Sequence, residues 1–236
     1  MPEPDHHRNK VRIKAVANAL GDLLPQTLFV GGSVIGFYLP SIREADVRPT
    51  EDVDIVINLV VSYTDHNRLN ELLLNSGFKL DVKSSINCRY IVQGITVDVM
   101  VPEDSAFGVS NRWYKPGMAA SIWLELDNIS IQILPIRYLL ATKVEALKGR
   151  GGQDYRQSPD MEDICSLLAF GKQQLWEKPL DDGSLTGYLA REAQVLLERP
   201  NLTEEVGAHF RSSDKKAATD KIYSRLKQIT NADGGR

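Results

Sequence analysis

Apolar residues recur along this chain in two different periods. Ile13, Val16, Ala17 and Leu20 follow the i, i+3, i+4, i+7 spacing of one helical face, and Gly21 stands where such a helix would end. Thr27-Leu28-Phe29-Val30 is a short continuous apolar run, which predicts a buried strand. After Gly31-Gly32, residues 33–39 predict a helix stopped by Pro40, and residues 41–49 a polar loop. Residues 53–61 predict the next strand. Asp65 is an N-cap candidate for a helix carrying Leu69, Leu72, Leu73 and Leu74 that stops near Gly77. Residues 88–92 and 95–101 alternate on either side of Gln93-Gly94 and predict a hairpin. On its second strand Thr96, Asp98 and Met100 share a face, opposite Ile95, Val97, Val99 and Val101. Residues 130–134 predict one more strand.

From Pro135 onward the period becomes helical. Residues 136–148, 159–170, 185–197 and 203 to about 230 predict four helices, with a Gly-rich loop over 149–157. The last shows Ala218, Ile222, Leu226 and Ile229 on one face. The organisation is therefore an α/β part (α+β type) over residues 1–134 and a helical part over residues 135–236.

Composition changes this picture little. Of 236 residues, 42% are hydrophobic and 25% charged, ordinary for a soluble globular protein. A net charge of −3 excludes a global basic field for nucleic acid. The basic run Lys215, Lys216, Lys221, Arg225 and Lys227 reads first as a solvated helix face and second as an RNA-backbone contact. Cys88 and Cys165 have no metal-ligand spacing, which predicts reduced thiols in a cytoplasmic protein. The N-terminus lacks the apolar core of a signal peptide, and no apolar run is long enough for a bilayer. His66 and His209 have no ligand spacing, and Trp113, Tyr114, Trp123 and Trp176 read as packing.

The candidate chemistry lies in the acids. Asp52 and Asp54 flank Val53 at the start of a β-branched run, so a strand presents both carboxylates on one side. Aspartate is a poor strand former and costly to bury unpaired. Two adjacent like charges raise each other's pKa unless a cation intervenes, and hard divalent ions such as Mg²⁺ take such oxygens. Asp98 repeats the anomaly mid-strand in Ile95-Thr96-Val97-Asp98-Val99. In two-metal phosphoryl transfer, Asp98 is placed to hold the second ion and take the acceptor's proton. Gly31-Gly32-Ser33 after a strand is a turn type that holds phosphate, with Ser33 as cap or phosphate donor. Lys143 falls within the apolar arc of Ile136, Leu139, Leu140, Val144 and Leu147, so it must meet an anion, either a bound triphosphate or an internal acid. Ser158-Pro159-Asp160 is a helix start, and Asp160 there can hold Lys143, orient a base, or cap.

These pieces resemble the nucleotidyltransferase superfamily typified by DNA polymerase beta. Arg48-x-Thr50-x-Asp52-Val53-Asp54, Ala141-Thr142-Lys143-x-Glu145-Ala146-Leu147 and Ser158-x-Asp160-Met161-Glu162-Asp163-Ile164 resemble its AbiEii-like branch, which includes bacterial toxins of toxin–antitoxin systems. The resemblance implies a core of a small mixed sheet flanked by helices, followed by a helical part that completes the nucleotide pocket. It implies two Mg²⁺ (or Mn²⁺) held by Asp52, Asp54 and Asp98, and an NTP such as ATP contacted by Gly31, Gly32, Ser33, Thr50, Lys143 and Asp160. The implied reaction moves an NMP to a hydroxyl acceptor, RNA such as tRNA first, a protein or an antibiotic second. A cognate antitoxin is an implied partner. The spacer from Ser33 to Asp52 is longer than is usual in the superfamily, so residues 41–49 must bring Gly32 and Asp52 together. The competing class is a catalytically idle nucleotide binder or antitoxin on the same fold.

Overall fold

The computed structural model describes residues 5–58, 63–102, 111–150, 154–178 and 182–232. The chain forms two units, one of Met1–Gly36 with Glu44–Pro135, the other of Phe37–Arg43 with Ile136–Arg236. The helical unit thus takes back a short piece from before residue 44.

The first unit begins with α1 (Asp5–Leu20), whose face of Ile13, Val16, Ala17 and Leu20 is buried as its spacing requires. Seven strands follow: β1 (Thr27–Val30), β2 (Asp52–Ile57), β3 (Lys79–Leu80), β4 (Arg89–Val92), β5 (Ile95–Met100), β6 (Ile122–Leu126) and β7 (Ile129–Ile133). They form one mixed sheet in the order β3-β4-β5-β2-β1-β7-β6. The pairs β1–β7 and β2–β5 are parallel and the rest antiparallel. The central β1 is buried at every residue, which explains its unbroken apolar run. The β4–β5 hairpin turns at Gln93 (φ 51°) and Gly94 (φ 78°), two successive left-handed residues of the kind that match strand twist. α3 (Tyr63–Asn75) begins two residues before Asp65, so Asp65 lies within the helix rather than at its cap. The far end of the strand expected over residues 53–61 lies outside the described residues beyond 58. Among the strands and α-helices of this unit, β3, β6 and α4 (Tyr114–Ala119) were not expected from the pattern.

The helical unit contains α5 (Ile136–Gly149), α6 (Pro159–Phe170), α7 (Gln173–Glu177), α8 (Gly183–Leu197), α9 (Leu202–Gly207) and α10 (Lys215–Asn231). Ser158 accepts from the Met161 N–H at 3.3 Å and Pro159 occupies the first helical position, so α6 starts where its cap chemistry places it. The single helix expected from residue 203 is instead two, because the segment between Gly207 and Lys215 leaves the helix. Residues 37–43 are tied in by Lys172, whose ammonium donates to the Phe37 carbonyl at 3.0 Å and whose N–H donates to the Tyr38 carbonyl at 2.9 Å. Arg43 pairs with Asp214 at 3.2 Å and lies 4.2 Å from the Phe170 ring centre. Among the described residues no helix is long and apolar enough to cross a membrane, and both cysteines are buried and outside any disulfide.

Candidate active site on the sheet face

The register of β2 against β5 gathers the acids. As parallel partners, Asp52 lies opposite Thr96 and Asp54 opposite Asp98, while Val53 and Ile55 lie opposite Val97 and Val99. Side chains alternate across a strand, so all four apolar partners enter the core on one face, and Asp52, Asp54 and Asp98 stand together on the other. The acids are only partly buried, as that face requires.

A guanidinium stands among them. Arg89 is the antiparallel partner of Asp98 across β4–β5. Its Nε and Nη2 donate to both Asp98 oxygens, each at 2.7 Å, and Nη2 also reaches Asp52 at 3.1 Å. This is the bidentate fork that makes arginine–carboxylate pairs strong. The hydrogen bond with Asp98 first, then the charges of Asp98, Asp52 and Asp54, hold Arg89 above its ordinary pKa. Arg89 gave no sequence signal, because its role depends on a strand register no local pattern reveals.

The glycine turn meets the same face. β1 and β2 are antiparallel neighbours with Val30 opposite Asp54, so the long spacer from Ser33 still brings the turn to the acids. Gly31 has φ 75° and ψ −160°, a region in practice open only to glycine. A Cβ there would stand 1.8 Å from Asp54 Oδ2, so the carboxylate packs directly on the turn. At Gly32 a Cβ would stand 2.4 Å from Arg48 Nη2, so a guanidinium lies over the second glycine. The expected helix after the turn is shorter than its pattern suggests: a 3-10 turn over Gly32–Val34, then α2 (Ile35–Tyr38). Two such brief pieces carry little dipole, and the positive charge at this turn comes from Arg48. Ser33 is buried and its hydroxyl has no hydrogen-bond partner among the described residues. Such a group costs stability unless something accepts from it. Gly31→Ala is expected to lose about 1–3 kcal/mol to backbone strain, and more because Asp54 must move. The control is Gly21→Ala, at φ 52° with nothing nearby, which should lose only the backbone share in the same denaturant titration.

The other expected site residues sit otherwise. Thr50 is buried; its hydroxyl donates to Asn9 at 3.0 Å and its carbonyl accepts from Arg12, so α1 pins the approach to β2. Lys143 and Asp160 lie in the helical unit. Of the two anions open to Lys143, the structure supplies the internal one: Asp163 at 2.7 Å and Asp160 at 3.4 Å. Asp160 also takes Arg150 at 2.5 Å.

Among the described residues, no three His, Cys, Asp or Glu side chains are arranged to hold a metal ion. The donor chemistry nevertheless fits a hard divalent cation, with three carboxylates at adjacent register positions on one face. The cationic group that stands among these carboxylates is Arg89. Arg89 pairs with Asp98 and Asp52, and Arg48 lies at the glycine turn on the same face.

No family model matches the chain, and no curated protein matches it. Among solved structures it is similar to an antigenic nucleotidyltransferase-like protein from Paracoccidioides brasiliensis, at 20% identity and a TM-score of 0.47, over 87% of this chain and 94% of that one. A likeness of that size supports no conclusion about chemistry, which must come from the residues themselves.

Proposed function

We propose that the protein is a nucleotidyltransferase that moves a nucleoside monophosphate from an NTP to a hydroxyl acceptor and releases pyrophosphate. The observation that carries this reading is the β2–β5 register, which sets Asp52, Asp54 and Asp98 side by side against the Gly31 turn. Mg²⁺ would be held by those three carboxylates, and when bound it supplies the charge that lets a polyphosphate approach them. The backbone of Gly31 and Gly32 receives phosphate without side-chain obstruction, and Arg48 beside Gly32 adds positive charge. Ser33 donates its unpartnered hydroxyl to a phosphate oxygen. An Asp98 oxygen accepts the proton of the acceptor hydroxyl. Catalysis of this kind is positioning and charge neutralisation more than covalent chemistry.

The acceptor in this proposal is RNA, tRNA first, in the manner of a toxin with a cognate antitoxin; a protein or an antibiotic hydroxyl comes second. One observation favours a different class. Arg89 already engages both Asp98 oxygens, as suits a nucleotide binder that does not turn over. Incubation with α-phosphate-labelled NTPs, Mg²⁺ and total cellular RNA or protein separates the two. The enzyme labels an acceptor and releases pyrophosphate in equal amount; NTP binding with no label on any acceptor supports the idle binder.

A further inference from the structure

Within the helical unit a cavity of about 240 Å³ opens among α5, α7, α8 and α10. Its lining includes two arginines, Arg137 and Arg225, with Gln173, Trp176, Glu177 and Thr186. Arg225 is 8% exposed and occupies the apolar face of α10 beside Ile222 and Leu226, not the solvated basic face that its neighbours Lys221 and Lys227 suggest. Burial lowers the pKa of both arginines; at Arg225 the charge of Glu177 works against this and the charge of Arg137 adds to it, so the two guanidiniums repel across this space.

Their protein partners are neutral. Arg137 Nη2 donates to the Trp176 carbonyl at 2.6 Å, and Arg225 Nη2 donates to Gln173 Oε1 at 2.8 Å. Arg225 also lies 4.9 Å from the Trp176 ring centre. Among the described residues neither arginine makes an ion pair, and most of the donors on each guanidinium have no acceptor. The one acid in the lining, Glu177, is exposed and accepts from Gln173 at 2.9 Å. Two like charges held beside one cavity, with only the exposed Glu177 near Arg225 to offset them, are costly unless an anion joins them.

We infer that this cavity is a binding site for a phosphate dianion, free or as a phosphomonoester. Arg137 and Arg225 grip the phosphate, and Thr186 and Gln173 offer neutral hydrogen bonds around it. At about 240 Å³ the cavity offers more room than a bare phosphate needs. Trp176 and Leu189 give the surplus an aromatic and apolar wall, suited to the organic part of a monoester. The site lies wholly in the helical unit and uses none of the sheet acids, so it stands or falls apart from the transferase proposal.

The test is a melting and calorimetric titration of the full chain with inorganic phosphate, ribose 5-phosphate and a nucleoside 5′-monophosphate. Saturating ligand should raise Tm by about 5 °C, and rising salt should weaken binding. A monoester that binds at least tenfold more tightly than inorganic phosphate identifies the organic part as a contact; equal affinities identify the free ion as the ligand. Arg137→Gln and Arg225→Gln should each cut affinity at least tenfold, while Asp54→Asn leaves it unchanged. Arg137 is the less buried of the two, so its variant decides the matter where Arg225→Gln fails to fold. No shift with any of the three probes overturns the inference. So does a shift undiminished in Arg137→Gln, or one lost only in Asp54→Asn, which would put the phosphate at the sheet face.

Discussion

Asp54→Asn should reduce nucleotidyl transfer on the order of a thousandfold while the protein keeps its fold. The substitution preserves shape and removes charge at the carboxylate that touches the glycine turn and faces Asp98 across the register. Loss of several kcal/mol of transition-state stabilisation corresponds to a rate loss of about that size. Asp52→Asn and Asp98→Asn should fall similarly for the same reason. Asp98→Asn has an added effect, because Asp98 is the main partner of Arg89. Steady-state rates beside circular dichroism check the expectation. Folded variants that turn over at the wild-type rate would remove these acids from the chemistry.

Lys143→Met is expected to destabilise the protein by about 3–5 kcal/mol, the cost of removing one partner from a buried ionic cluster. Its side chain is 9% exposed, and those of Asp160 and Asp163 are 2% exposed, so water does little to screen what remains. Asp160 keeps Arg150, whereas Asp163 loses its lysine. Lys143→Met combined with Asp163→Leu should recover most of the loss, since burying neither charge is cheaper than burying one. Denaturant unfolding measures both variants. Unchanged stability together with weaker NTP binding would instead make Lys143 a nucleotide ligand.

The sequence revealed most where a pattern was local. The alternation in residues 95–101 and the Ser158-Pro159 cap each depend on near neighbours, and β5 (over 95–100) and α6 formed there. The phase argument that singled out Lys143 works equally for Arg225, three residues beyond Ile222 on the same α10 face, but its lysine neighbours masked the signal. β6 has its own alternation, Ile122, Leu124 and Leu126 against Trp123 and Glu125. Trp123 was expected to pack, yet it is 58% exposed, while Trp113 and Trp176 are buried. The break of the last helix follows Gly207, whose missing side chain leaves room for Lys215: a Cβ there would stand 2.2 Å from Lys215 Cε. Arg89 was beyond reach, because only the pairing of β4 with β5 brings it to Asp98. The same holds for Asp54 beside Asp98: each was suspect alone as an acid on an apolar strand, and the sheet order makes them neighbours.

The central claim is that Asp52, Asp54 and Asp98 form a face that takes a divalent cation together with a nucleotide. Calorimetric titration of Mn²⁺ into the protein with a non-hydrolysable NTP analogue measures this without any acceptor. The account predicts saturable cation binding that depends on the nucleotide and is lost in Asp54→Asn and Asp98→Asn. Wild-type protein that binds no cation, or variants that bind it equally well, would contradict it.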